Sequence, residues 1–450
     1  MNYIGLLFNL CKLRANTKKT REQIKKIQKK KLNELLVYAY ENSEYYRNSF
    51  HKSGITKENI KSVPLSEFPC IDKLKLIDNF DKIVTASDLK QEQLCKFDEE
   101  ESLDNKIFKD KYHVVHSSGS TGKPNYFVYD NHAWNNMLVG IIRGALWNMS
   151  LPKMLKFLLK GPRVLYIAAT DGRYGGAMSV SDGINGVGAK QLFLDINTPL
   201  NEWIDKIRDF NPNMIIGYPS AIKILGELIE RDNLKLSIER IVSCGEPLSV
   251  GLRGYLKKIF NTEIYNFYGA SESLALGIED DVCDGMYLFD DLNIIEVEKD
   301  CIYLTCLYNF VQPLIRYKIS DKLVYTKSQH GRFPFSIVET IVGRNEDVMW
   351  FNGKDGKKEF LHPLAVEGIC VEGLLDYQFS KIDDTTFEMI AQIEKEDMQY
   401  EIRDKILKIM SQILKEKKLT HLQFFIRFTD EIMPNPKTGK KQLVVSDTEV

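Results

Sequence analysis

No C-x-x-C pair occurs among the eight cysteines of this 450-residue chain. Such scatter argues against a disulfide framework and fits reduced thiols in a cytosol. Excess charge of one sign is missing too. The 61 basic and 62 acidic side chains leave a formal charge of -1, so no global field draws the chain to nucleic acid or an anionic membrane. The local run Lys25-Lys26-Ile27-Gln28-Lys29-Lys30-Lys31 is either a point of attraction or the solvated face of a helix. No apolar run reaches the length of a membrane span. The nearest approach, Tyr3 to Leu13, is far too short, has no charge ahead of it and no small-residue cleavage site behind it. It reads as a helix packed on the main body, with a peripheral membrane contact as the alternative. Internal repeats and low-complexity linkers are absent as well.

What is present is an α/β pattern long enough for a large domain and a smaller one. Arg163–Ala169, Asn213–Gly217, Arg240–Cys244 and Glu263–Phe267 are short apolar runs, the pattern of strands covered on both faces. Between them, Ser220 to Arg231 sets Ala221, Leu225 and Leu228 on one helical stripe. The alternation predicts a mixed, largely parallel sheet, with ligands at the carboxyl ends of its strands. The Ser-Cys-Gly-Glu-Pro loop at 243–247 and the Tyr-Gly-Ala-Ser-Glu loop at 268–272 then share one rim. After Gly343 the character changes. A strand at Phe387–Ile393, an amphipathic helix with Ile402, Ile406, Ile409, Ile413 and Leu414 on one face, and a strand at Leu422–Phe428 predict a small α+β unit. The expected division is 1–342 and 343–450.

His116-Ser117-Ser118-Gly119-Ser120-Thr121-Gly122-Lys123-Pro124 is the densest chemical signal. Glycines let successive N–H groups turn into one concavity, and hydroxyls and a lysine add donors. The run is not a Walker loop, because only two residues separate its glycines and proline follows its lysine. Alone it reads equally as a polyphosphate cradle or a surface loop.

Four further segments follow: Tyr268-Gly269-Ala270-Ser271-Glu272, Arg316-Tyr317-Lys318-Ile319-Ser320-Asp321, Gly343-Arg344-Asn345-Glu346-Asp347 and Pro436-Lys437-Thr438-Gly439-Lys440. In this order they resemble the motifs of the adenylate-forming superfamily of acyl-CoA ligases. The phenylacetate–CoA ligase branch, with its capsule-cluster homologues, is the nearest likeness, and the opening stretch Lys31 to Arg47 shares it.

The resemblance implies roles. Ser117, Ser118, Gly119, Thr121, Gly122 and Lys123 would hold ATP and the departing pyrophosphate. Glu246 and Pro247 would lie beside adenine, Tyr268 would pack on it, and Gly269 and Ser271 would belong to the nucleotide-binding set. Glu272 would ligate magnesium; read alone, it could equally be a helix-start carboxylate. Asp321 would accept from both ribose hydroxyls, although Ile319-Ser320 replaces the family's usual Thr-Gly ahead of it. Arg344 would contact ribose or phosphate. Glu346 would be the hinge of a mobile C-terminal lid, and Lys440 would swing into the site to bridge carboxylate and α-phosphate.

Two departures stand out. Tyr287 takes the place of a histidine of the zinc site some members carry, and Cys301 and Cys306 lie on an apolar strand. Buried free cysteines fit better than zinc. The acyl-pocket stretch reads Asp171-Gly172-Arg173-Tyr174-Gly175-Gly176, with Arg173, Tyr174 and Tyr218 as the candidate pocket residues; its arginine and aspartate suggest a polar or charged acid, and otherwise these charges belong to a rim loop facing water. The expected cofactors are ATP, magnesium and coenzyme A. The expected partner is a small carboxylic acid, and the resemblance leaves room for a homodimer. The leading expectation is an acyl-CoA ligase. An amine-accepting ligase and a non-catalytic nucleotide binder are the alternatives.

Overall fold

The short apolar runs become strands. In the computed structural model the described residues are 3–99, 107–117, 125–170, 178–179, 181–182, 189–232, 234–280, 285–299, 301–321, 323–326, 331–339, 349–353, 356, 358–361, 366, 369, 371–432 and 443–445. An eight-stranded sheet runs in the order Ile337–Val338, Met286–Leu288, Ser273–Glu279, Ile264–Ala270, Arg240–Cys244, Met214–Gly217, Arg163–Ala168, Lys190–Asp195. The last five are mutually parallel and the first three antiparallel to their neighbours. Met214–Gly217, in the middle, is buried along its whole length. That is why its sequence is continuously apolar rather than alternating.

One expected boundary moves. The strand at 263–267 continues to Ala270, because it folds back on Ser273–Glu279 with Tyr268 opposite Gly277 and Ala270 opposite Ser273. Tyr268 and Gly269 therefore belong to a strand, and only Ser271 and Glu272 form the turn. A strand follows Glu272, so its reading as a helix-start carboxylate is excluded.

Helices cover the sheet. Pro219–Arg231 opens on proline, whose missing N–H costs nothing at that position, and buries Ala221, Ile222, Leu225 and Leu228. Leu200–Phe210 buries Leu200, Trp203, Ile204 and Ile207 in the same cluster.

The N-terminal helices pack on the other side. Tyr3–Ala15 buries Leu6 and Leu10, as expected of a packed helix. Arg21–Asn42 starts on a reciprocal cap between Thr20 and Gln23. Lys25, Lys26, Lys29 and Lys30 on it face solvent, while Lys31 donates to the Asp291 carbonyl at 2.6 Å. The carboxylate of Asp291, fully buried, takes both arms of Arg143 at 2.6 and 2.9 Å and the amide of Asn16 at 2.8 Å.

Beyond residue 348 a four-stranded sheet forms in the order Gln423–Thr429, Thr386–Ile393, Leu374–Lys381, Val444–Val445. The helix Gln399–Glu416 lays Ile402, Ile406, Met410, Ile413 and Leu414 on it. Met410 takes the deep position expected of Ile409, which is only half-buried. A cluster drawn from residues 349–444 makes a core of its own. Among the described residues no helix is long and apolar enough to cross a membrane.

Candidate active site

The Gly-Ser-Thr-Gly-Lys run connects two paired strands. Tyr112–Ser117 lies antiparallel to Asn125–Asp130, with His116 opposite Tyr126 and Ser117 opposite Asn125. Ser118, Gly119, Thr121, Gly122 and Lys123 are outside the described residues, as are Arg173, Tyr174, Arg344, Glu346 and Lys440. The two strand ends that carry the run are described, and they lead directly to Glu272.

Asn125, the first described residue after the run, donates its side-chain amide to the Tyr317 hydroxyl at 3.2 Å. Tyr317 in turn hydrogen-bonds the Glu272 carboxylate. From the far end of the same strand, Tyr129 donates its hydroxyl to the Ser271 and Glu272 carbonyls at 3.1 and 3.0 Å. Side chains from both ends of one strand thus hold the Ser271-Glu272 turn.

Asp321 completes the cluster. It accepts from the Tyr268 hydroxyl at 2.6 Å. Burial first, and then the Asp321 charge, hold the Tyr268 phenol well above its ordinary value, so it stays a donor. The Tyr268 ring itself is buried, in a cluster with Leu276, Ile302 and Leu304. Burial and the nearby Asp321 charge push the half-buried Glu272 carboxyl up to about 7, against the bond from Tyr317 and the charge of Lys73. Glu272 and Asp321 lie within electrostatic reach of each other, and carboxylate oxygen is the donor that a hard cation such as magnesium takes. Among the described residues no group of three or more His, Cys, Asp or Glu side chains converges to hold a metal.

The neighbouring rim carries Tyr218 and Glu246. Gly245 adopts a φ of +80°, and a Cβ there would fall 2.6 Å from the Tyr218 ring. Only glycine lets that loop close on the tyrosine. Glu246 then accepts from the Ser220 backbone N–H at 3.1 Å and from its hydroxyl at 2.7 Å, which fixes the loop on the start of a helix. Pro247 follows, half-buried.

Sequence reasoning missed several contributors. Arg316 donates to the Ser66 and Phe68 carbonyls at 2.7 Å each. The backbone of Ile71 then pairs with Arg316 and Lys318, at 3.1 and 2.8 Å, beside Tyr317. This draws Lys73 within electrostatic reach of Glu272 from two hundred residues away. Arg316 and Tyr317 stood in a motif already singled out; Lys73, Asn125 and Tyr129 carried no local signal. Of the expected zinc-site positions, Tyr287 is a buried core aromatic whose hydroxyl accepts from Arg332 N–H at 2.9 Å. Cys301 and Cys306 are buried free thiols, and burial pushes Cys306 up to about 11.

No family model matches the sequence. Whole proteins do. The chain is similar to the CapK protein of Staphylococcus aureus, at 23% identity across 94% of this chain and 89% of that one. It is similar to the phenylacetate-coenzyme A ligase of Escherichia coli (strain K12), at 24% identity across 74% of each. Its fold matches the crystal structure of 2-hydroxyisobutyryl-CoA ligase in complex with 2-HIB-AMP and CoA. That match has a TM-score of 0.61 at 17% identity, and covers 96% of this chain and 91% of the other.

Proposed function

We propose that the chain is an enzyme of the adenylate-forming superfamily, on the branch of the phenylacetate–CoA ligases and CapK, that activates a carboxylic acid with ATP and passes the acyl group to coenzyme A. The observation that carries this reading is the convergence of Asn125, Tyr317, Glu272, Asp321 and Tyr268 beside the start of the strand that follows the Gly-Ser-Thr-Gly-Lys run in sequence.

In the first half-reaction a carboxylate oxygen attacks the α-phosphorus of ATP. The bond from that phosphorus to the bridging oxygen breaks, and pyrophosphate leaves. Two anions must meet, so positive charge and aimed donors lower the barrier. Ser117, Ser118, Gly119, Thr121, Gly122 and Lys123 receive the leaving phosphates, and Lys440 bridges carboxylate and α-phosphate. Glu272 would hold magnesium, which when bound would supply further charge neutralisation there. Asp321 takes the ribose hydroxyls with lone pairs that its bond from Tyr268 leaves free. Glu246, Pro247, Gly269 and Ser271 line the adenine side, and Arg344 reaches ribose or phosphate.

In the second half-reaction the thiolate of coenzyme A attacks the acyl carbon and AMP leaves. Between the two, the unit 343–450 turns about Glu346 as a lid. Arg173, Tyr174 and Tyr218 are the proposed acyl-pocket residues, and the charges of Asp171 and Arg173 in that stretch favour a polar acid over phenylacetate.

Pyrophosphate release over a panel of carboxylic acids, read with and without each acid, tests the first step. Mass spectrometry of products formed with coenzyme A or with amines tests the second. No acid-dependent release across hydroxy, amino, sugar and aryl acids would sink the reading. An amide product without a thioester would transfer it to an amine acceptor.

A further inference from the structure

A lysine and a glutamate with no place in the chemistry above are buried where the C-terminal unit meets the main sheet. Lys417 ends the helix Gln399–Glu416, and its side chain is 0% exposed. Glu359 lies on the strand Lys358–Leu361 and is 9% exposed. Their charges meet at 3.2 Å. Both also reach across to the segment that opens the helix Leu200–Phe210. Lys417 donates to the Thr198 carbonyl at 3.2 Å, and Glu359 accepts from the Leu200 backbone N–H at 2.6 Å. The second Glu359 oxygen also accepts from Phe360 N–H at 3.0 Å, so the carboxylate has partners on both sides. The Lys417 ammonium lies 3.8 Å from the centre of the Phe360 ring, which meets Trp203 edge-on at 5.7 Å. Outside this dry centre, Lys418 pairs with Glu202 at 2.6 Å on the exposed rim.

We propose that Lys417 and Glu359 are positioning residues that latch the C-terminal unit against the 198–203 segment in one of the two arrangements the reaction needs. This rests on the two-step function proposed above. A buried ion pair gains little net free energy, because desolvation of two charges nearly cancels their attraction. Yet it demands one registry, since either charge left alone is costly to bury. The pair therefore fixes where the unit sits without forbidding its release. The Leu200 amide is the natural reporter, because its bond to Glu359 exists only while the unit is docked.

Lys417→Met leaves the Glu359 carboxylate buried without its counter-charge. Hydrogen exchange at the Leu200 amide should speed up by on the order of 10²-fold. The amides of the strand Thr386–Ile393, inside the same unit, should keep their protection, which shows that the unit is still folded. In assays of the separate half-reactions, one should fall at least roughly tenfold while the other changes less than about twofold. The double variant Lys417→Met/Glu359→Gln removes both charges but keeps a side-chain oxygen for the Leu200 N–H. It should restore protection at Leu200 and recover the lost half-reaction. Unchanged exchange at Leu200 in Lys417→Met, equal loss of both half-reactions, or a double variant no better than the single would each overturn the latch. If no acid supports adenylation, the function fails, while the exchange measurements still decide the latch.

Discussion

Glu272 shows what a single carboxyl in this site can report. Its pKa is pushed up to about 7 from an ordinary 4.5, with burial as the first cause and Asp321 as a further one. A metal ion must displace that proton when the pH is below about 7. Magnesium-dependent ATP binding should therefore tighten as pH rises from 6 to 8, by at most about tenfold per unit on the acid side. The stability term has the opposite sense. A raised acid pKa means the folded chain holds the proton more tightly, so that stabilisation is present below about 4.5 and lost as pH climbs through about 7. Glu272→Gln should flatten both trends and cut acid-dependent pyrophosphate release by on the order of 10²–10³. Near-normal release at limiting magnesium would refute the assignment. Lys440 makes the complementary case. Lys440→Ala should abolish acyl-AMP formation yet transfer the acyl group from supplied acyl-AMP at close to the normal rate, with Lys441→Ala mild in both assays. At this scale the sequence discloses residues whose neighbours in the chain are also their neighbours in the motif. Glu272 and Asp321 are such residues. Lys73, Asn125 and Tyr129 are not, because the fold alone brings them to Glu272.

Among the elements, the loop from Cys244 to Pro247 depends on one glycine. Gly245→Ala would have to hold φ near +80° and clear the Tyr218 ring. The left-handed conformation alone costs a residue with a Cβ about 1–2 kcal/mol. The variant should melt earlier, and its Michaelis constant for ATP should rise as Glu246 loses its seat on Ser220. An unchanged Michaelis constant would separate this loop from the nucleotide. Legibility was high wherever period and burial agree. Arg240–Cys244 appears at its expected bounds, and Pro219–Arg231 starts one residue before expectation. It failed where a partner strand decides the boundary, as at Ala270, whose partner Ser273 lies just beyond the turn. It also failed on Met410, because a flexible thioether fills a deep position that an apolar stripe assigns by habit to isoleucine.

For the molecule as a whole, the buried carboxylate of Asp291 ties the first helices to the main core. Asp291→Ala would orphan the Arg143 guanidinium, which also stacks 4.3 Å from the Phe289 ring. A loss of about 3–5 kcal/mol is expected in chemical denaturation. The pair Arg143→Met/Asp291→Leu should lose much less, and equal losses would mean that the hydrogen bond from Asn16 to the carboxylate dominates instead.

That carboxylate also sets an order in time. Asn16 precedes its partner Asp291 by 275 positions. At a ribosomal pace of about 5–20 residues per second, the first helices leave the ribosome on the order of 15–55 s before their receptor exists. Through that interval the cluster that takes Ile24, Leu35, Leu36 and Ala39 lacks Leu292, Tyr308, Leu314 and Phe335. The residues after 348 have the opposite history: they carry their own core and fold against a body already made. Synthesis therefore completes the core around the beginning of this chain late, while the core of its last unit is drawn wholly from residues made together.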